Sequence, residues 1–118
     1  MGTVTLQPSV KDNYVDNTYP TLNFGTQQMA SAVWGPTFSE ICRAIFEFAI
    51  TWGTDIPAGS TITAATLYLY IYQCTGSQEA YKAQRLIRSD WHETQSNYDR
   101  YKTGSNWTSP GANGEGTD

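Results

Sequence analysis

Ile56-Pro57-Ala58-Gly59-Ser60-Thr61-Ile62-Thr63-Ala64-Ala65-Thr66-Leu67-Tyr68-Leu69-Tyr70-Ile71-Tyr72 is the stretch on which the fold turns. A Pro/Gly turn feeds a run in which Leu67, Leu69 and Ile71 alternate with Tyr68, Tyr70 and Tyr72. Side chains along a strand alternate between faces with period two. The run therefore predicts a strand with one aliphatic face and one row of three tyrosines. The aliphatic face is expected to join the core. The tyrosine face is either a second packed surface or a platform open to a ligand.

Working outward, Ile41 to Ile50 predicts a second strand, with Cys42, Ala44, Phe46 and Phe48 on one face and Arg43, Ile45 and Glu47 on the other. Its aromatic and β-branched content favours a strand over a helix. Thr3 to Leu6, Met29 to Trp34 and Lys82 to Arg88 read as weaker strands. The segment from Asp12 to Gly25 reads as a loop rich in turn formers. Ser89-Asp90-Trp91-His92-Glu93 predicts one short helical turn, with Glu93 at capping-box distance from Asp90. From Asn97 to Asp118 the chain is polar and glycine-rich and shows no strand pattern. Short strands between turn clusters predict an all-β antiparallel sandwich.

A chain of 118 residues suits a single module spanning residues 1–118. Charged residues make up only 15%, which fits an extracellular, cell-surface or virion-surface protein better than a cytosolic helical enzyme. The net charge is −4, and the basic residues form no stripe beyond Arg85 and Arg88, which argues against nucleic acid. The N-terminal residues lack the basic and apolar regions of a signal peptide. No apolar run approaches the ~20 residues of a membrane helix, so membrane insertion is not expected. Export by another route, such as virion assembly, is consistent with this. Cys42 and Cys74 could form one disulfide or remain two buried thiols. With one histidine and no Cys/His spacing, a zinc site is set aside.

Several motifs recur together in a fixed order: Asp12-x-Tyr14-Val15, Pro20-x-x-Asn23-Phe24-Gly25, Arg43-x-x-Phe46-Glu47-Phe48, Ile56-Pro57-Ala58-Gly59-x-x-Ile62-x-x-Ala65-x-Leu67-x-Leu69, and Ser89-Asp90-Trp91-x-Glu93-Thr94. In this order they resemble the DNRLRE-domain family, also classed with carbohydrate-binding module family 96. The start of the chain is similar to phage-encoded members. The resemblance implies a jelly-roll-like β-sandwich without an enzymatic site, serving secreted polysaccharide-degrading enzymes, cell surfaces or phage particles. Some such domains bind acidic polysaccharides such as alginate. Family members usually carry Asp where Glu47 stands, and a tryptophan where this chain has Asn97-Tyr98. They also continue past a glycine-rich loop into further strands. The sandwich is thus expected to lack its last strands here, which a longer chain or another subunit would supply by edge addition.

Candidate binding residues follow. Tyr68, Tyr70 and Tyr72 offer rings that stack on sugars and hydroxyls that bond to them, or else pack against strands and subunits. Loop aromatics add Tyr19, Phe24, Trp34, Trp52 and Trp107. Trp34 and Trp107 are expected at the binding surface, with Trp107 exposed between polar neighbours. Trp91 is expected in the core. Asp12, Asp16, Asp55, Asp99 and Asp118 could offer oxygen ligands to calcium, but turn aspartates ordinarily cap backbone N–H groups. No other cofactor is expected. His92 has no nucleophile at a suggestive spacing, and no carboxylate pair is marked for glycoside hydrolysis. The expected function is therefore a non-catalytic module that binds polysaccharide through exposed aromatics. The alternative is a structural or decoration subunit of a phage particle or surface filament, assembling with other protein subunits through an open sheet edge.

Overall fold

The computed structural model describes residues 2–6, 10–27, 32–34, 40–70 and 82–118. Among them the chain is all-β: strands and turns, with no helix. Strands β1 (Lys11–Asp16), β2 (Ala32–Trp34) and β3 (Glu40–Glu47) form one antiparallel sheet in the order β1-β3-β2. Strands β4 (Arg100–Lys102) and β5 (Ser105–Asn106) form a small antiparallel hairpin.

The β3 strand is the element predicted from its alternating apolar residues, and it occupies the centre of the sheet. The β1 strand stands where the sequence reads as a loop. Asp and Asn disfavour strands, but here every second residue has a buried destination. Asn13 and Val15, both fully buried, share the face that meets the core, and Asn13 pairs in register with Ile45. Tertiary contacts override local preference. The hairpin is a second departure from the expected featureless tail. Gly104, at φ 77°, supplies the left-handed residue that closes the Thr103-Gly104 turn.

Val15, Ile45, Trp91 and Trp107 form the core, with Leu86, Tyr98, Tyr101 and Ala112 packed against it. Trp91 takes its predicted place at 2% exposure. The Arg43/Ile45/Glu47 face of β3 is therefore the one that looks onto the C-terminal residues.

Three expectations are corrected. Residues 61–70 form no strand, and the aliphatic face does not enter the core: Leu67 is 45% and Leu69 57% exposed. The physical reason lies in the sheet. β3 already has a neighbour on each edge, and the outer edge of β1 is occupied by the 89–97 segment. There the Asp12 N–H donates to Glu93 Oε1 at 3.0 Å, and Lys11 Nζ donates to the carbonyls of Ser89 and Trp91. Ile71 and Tyr72 lie outside the described residues.

The predicted helical turn at Asp90–Glu93 is instead a turn closed by Gln95 and Ser96 N–H groups on His92 O. Asp90 and Glu93 do not cap it, because Asp90 pairs with Lys102 at 2.6 Å and Glu93 with β1. Thr3 to Leu6 and residues 82–88 likewise form no strand. The Pro57-Ala58-Gly59 turn does form: the Ser60 N–H donates to Pro57 O at 3.1 Å, and Gly59 adopts φ 78°.

These placements separate two tryptophan- and leucine-bearing segments by energy. Trp91→Ala is expected to lower the free energy of unfolding by roughly 3–5 kcal/mol in urea titration. Leu67→Ala, on the exposed segment, is expected to change it by less than about 0.5 kcal/mol in dilute solution.

Candidate functional site

Two side-chain amides organise the functional end of the molecule. Asn13 Nδ2 donates to Ser96 O (3.1 Å) and Ser96 Oγ (2.8 Å), while its Oδ1 accepts the Tyr14 N–H at 2.8 Å. Asn23 Nδ2 donates to Glu93 O (2.6 Å) and Ser96 O (2.7 Å). A buried amide left unbonded costs about 1–3 kcal/mol, so these bonds fix the 93–97 turn against β1. Gly25 completes the joint. A Cβ there would lie 2.5 Å from Glu93 O, so the backbones meet only because residue 25 has no side chain. Tyr14 stacks on Phe24 with centroids 4.3 Å apart, which holds the Asn23-Phe24-Gly25 loop down on the sheet.

Asn97 then builds a cleft on this base. It is 2% exposed; Nδ2 donates to Thr21 O at 3.0 Å, and Oδ1 accepts the N–H groups of Asp99 and Arg100, each at 3.0 Å. Its carbonyl accepts the Trp107 indole Nε1–H at 2.7 Å. Around these groups opens a cleft of about 330 Å3, lined by Thr21, Asn97, Asp99, Arg100, Asn106, Trp107 and Pro110. Arg100 Nε is buried in the protein without a hydrogen-bond acceptor. The lining thus combines carboxylate, amide, hydroxyl and guanidinium groups with an indole and a proline ring. Such a surface can bond to sugar hydroxyls and offer an apolar plane to a ring.

Asp118 closes the far side of the same region. Its side chain, 1% exposed, accepts the N–H groups of Thr108 (2.8 Å), Ser109 (3.0 Å) and Gly114 (2.9 Å), with Arg88 Nε 3.6 Å away. Burial alone pushes this carboxyl up, but the N–H groups of Ser109, Thr108 and Gly114 outweigh it and hold the pKa below its ordinary value. The Arg88 guanidinium lies 4.1 Å from the centre of the Tyr101 ring, which also carries Lys102 at 5.3 Å.

The residues chosen from sequence fare unevenly. Tyr68 and Tyr70 are 89% and 94% exposed, away from this cleft's lining. Tyr72 and Cys74 lie outside the described residues, as does the side chain of Trp34, so the Cys42–Cys74 disulfide does too. Cys42 sits on β3, half-buried. Trp107 corrects the expectation of exposure: at 4% it belongs to the core and shows the cleft only part of its ring. Its polar neighbours Asn106 and Thr108 point outward while the indole turns in to Asn97.

Among the proposed calcium ligands, Asp16, Asp55 and Asp118 cap turn N–H groups, and Asp99 lines the cleft. No three His, Cys, Asp or Glu side chains gather at one point among the described residues. Arg43 donates to Gly111 O and Glu47 pairs with Lys11 at 2.8 Å, the structural roles such a strand face predicts. Sequence reasoning missed Asn97, Arg100 and Asn106. The available signal was the polar cluster from Ser96 to Asn106, which reads as solvent loop unless the buried amide of Asn97 is known.

A lowered carboxyl pKa stabilises the fold above the ordinary value of 3.8, and that stabilisation disappears as pH falls through the lowered one. Urea midpoints measured across the acid range are therefore expected to be flat above about pH 5 and to drop below pH 4. Asp118→Asn is expected to lower the neutral-pH midpoint and to flatten the acid drop.

No protein-family model, curated protein or solved structure matches this chain.

Proposed function

We propose that this chain is a non-catalytic polysaccharide-binding module of the extracellular or particle-surface kind, with its glycan site in the cleft around Asn97, Arg100, Asn106 and Trp107. The observation that carries the reading is the combination in one cleft of a guanidinium with a buried, unpartnered Nε and amide, carboxylate and indole groups. A uronate-bearing polysaccharide fits this chemistry, since its carboxylate matches the guanidinium and its hydroxyls match Asn106 and Asp99. The motif order shared with the DNRLRE-like family supports the same ligand class. It also supports a jelly-roll-like sandwich as the complete architecture.

A non-catalytic role is in keeping with the surroundings of His92. That side chain is exposed, and its printed side-chain neighbour is the Thr94 hydroxyl at 3.3 Å. A second reading, as a structural or decoration subunit of a phage particle or surface filament, is favoured by a different observation: the exposure of Tyr68 and Tyr70 beside Ile62, Leu67 and Leu69.

Affinity electrophoresis through gels containing alginate or a neutral glucan separates these readings. Retardation is expected in alginate, and Arg100→Gln is expected to weaken it by tenfold or more, as the loss of a charged hydrogen bond implies. Tyr70→Ala is expected to leave it unchanged. The absence of retardation on every acidic and neutral polysaccharide contradicts the proposal. Retardation lost with Tyr70→Ala and kept with Arg100→Gln moves the site to the tyrosines.

A further inference from the structure

The segment 61–70 combines three properties that together identify what it binds. Its backbone makes no hydrogen bond, so a row of donors and acceptors stands open. Every residue in it is exposed, and the apolar side chains protrude on both faces: Leu67 and Leu69 on one, Ile62, Tyr68 and Tyr70 on the other. No charge occurs from Ile56 to Tyr70, in a chain whose net charge is −4. Charges and prolines are the usual means of keeping an open strand from pairing, and this segment has none beyond Pro57. A sugar chain covers one aromatic face and leaves the opposite face and the main chain bare. A second strand serves both.

The order of residue sizes says which strand. The bulky side chains, Leu67, Tyr68, Leu69 and Tyr70, fill the C-terminal half. Thr63, Ala64 and Ala65 hold the N-terminal half. Two copies paired antiparallel about Thr66 place Leu67 opposite Ala65, Tyr68 opposite Ala64, Leu69 opposite Thr63 and Tyr70 opposite Ile62. Each large residue faces a smaller one, on the face it already occupies, and the pairing is identical from either copy. A parallel pairing sets Tyr against Tyr and Ala against Ala. Without charges, the two identical segments meet no like-charge repulsion. The tyrosines of two copies offer on the order of 600 Å2. Leu67, Leu69 and Ile62 bring the contact toward the roughly 1,000 Å2 of a specific interface.

We infer that residues 62–70 are a dimerisation strand, pairing antiparallel with the same segment of a second copy about a two-fold axis at Thr66. This stands apart from the glycan site, because the two use different residues and neither needs the other.

The test is a single engineered cysteine. At the two-fold axis, residue 66 lies about 4.5–5.5 Å from its mate, within disulfide reach. Residue 60 lies about 40 Å from its own. On mild oxidation, Thr66→Cys is expected to give a covalent dimer well above that of the native chain, which controls for Cys42 and Cys74. Ser60→Cys is expected to match the native chain. Sedimentation across a dilution series is expected to show a monomer–dimer equilibrium, weakened at least tenfold by Tyr68→Lys with Tyr70→Lys, by analogy with edge charges in natural sheets. Equal cross-linking of both cysteine variants, a monomer at every dilution, or a dimer indifferent to the lysines overturns the inference. Circular dichroism unchanged from the native chain shows that the lysine variant keeps its fold.

Discussion

The buried amide of Asn13, bonded to both Ser96 oxygens, is the constraint on which the rest depends. It joins β1, near the start of the chain, to the turn that carries the binding cleft. The two residues are 83 positions apart, so the contact closes the fold as well as positioning a site. Around it, Glu93 accepts from Asp12 and Asn23 grips the 93–96 carbonyls. The indole of Trp107 then hangs from Asn97. Loss of the amide leaves two buried oxygens and one face of β1 without partners, a loss of the kind that propagates through a connected network.

Because the network is polar and rigid, the cleft on top of it is preorganised. Asn97 satisfies the backbone on three sides and Asp118 fastens the 108–114 loop, so Arg100 and Asn106 line a surface that needs no rearrangement to meet a ligand. The apolar core beneath is small, four buried side chains with partly buried ones around them. In such a module, hydrogen bonds carry an unusual share of the specification. The exposed segment 61–70 lies outside this economy and finds its partner in another chain.

Legibility in the sequence followed the physics. The alternating apolar residues of β3 announce a strand, and the core role of Trp91 follows from its neighbourhood. β1 was hidden because Asp12, Asn13 and Asp16 read as turn formers until their long-range partners are known. The alternation from Leu67 to Tyr70 predicted a strand and a core face, yet periodicity states only what a segment can pair with and cannot say that a partner is present. Trp107 misled through its polar flanks, since burial depends on where the indole nitrogen finds an acceptor. Three of the motifs read in order, at Asp12 to Val15, Asn23 to Gly25 and Trp91 to Thr94, converge in space. Their spacing in sequence gave no hint of that meeting.

Hydrogen exchange at the Trp107 indole Nε1–H, followed by NMR beside the amides of Asp12 and Tyr14, tests the central claim most directly. All three protons are held by the network linking β1 to the cleft, so they are expected to exchange slowly and at one common rate, that of cooperative opening. An indole proton that exchanges freely while the β1 amides stay protected contradicts the account, because the cleft would then open independently of the sheet.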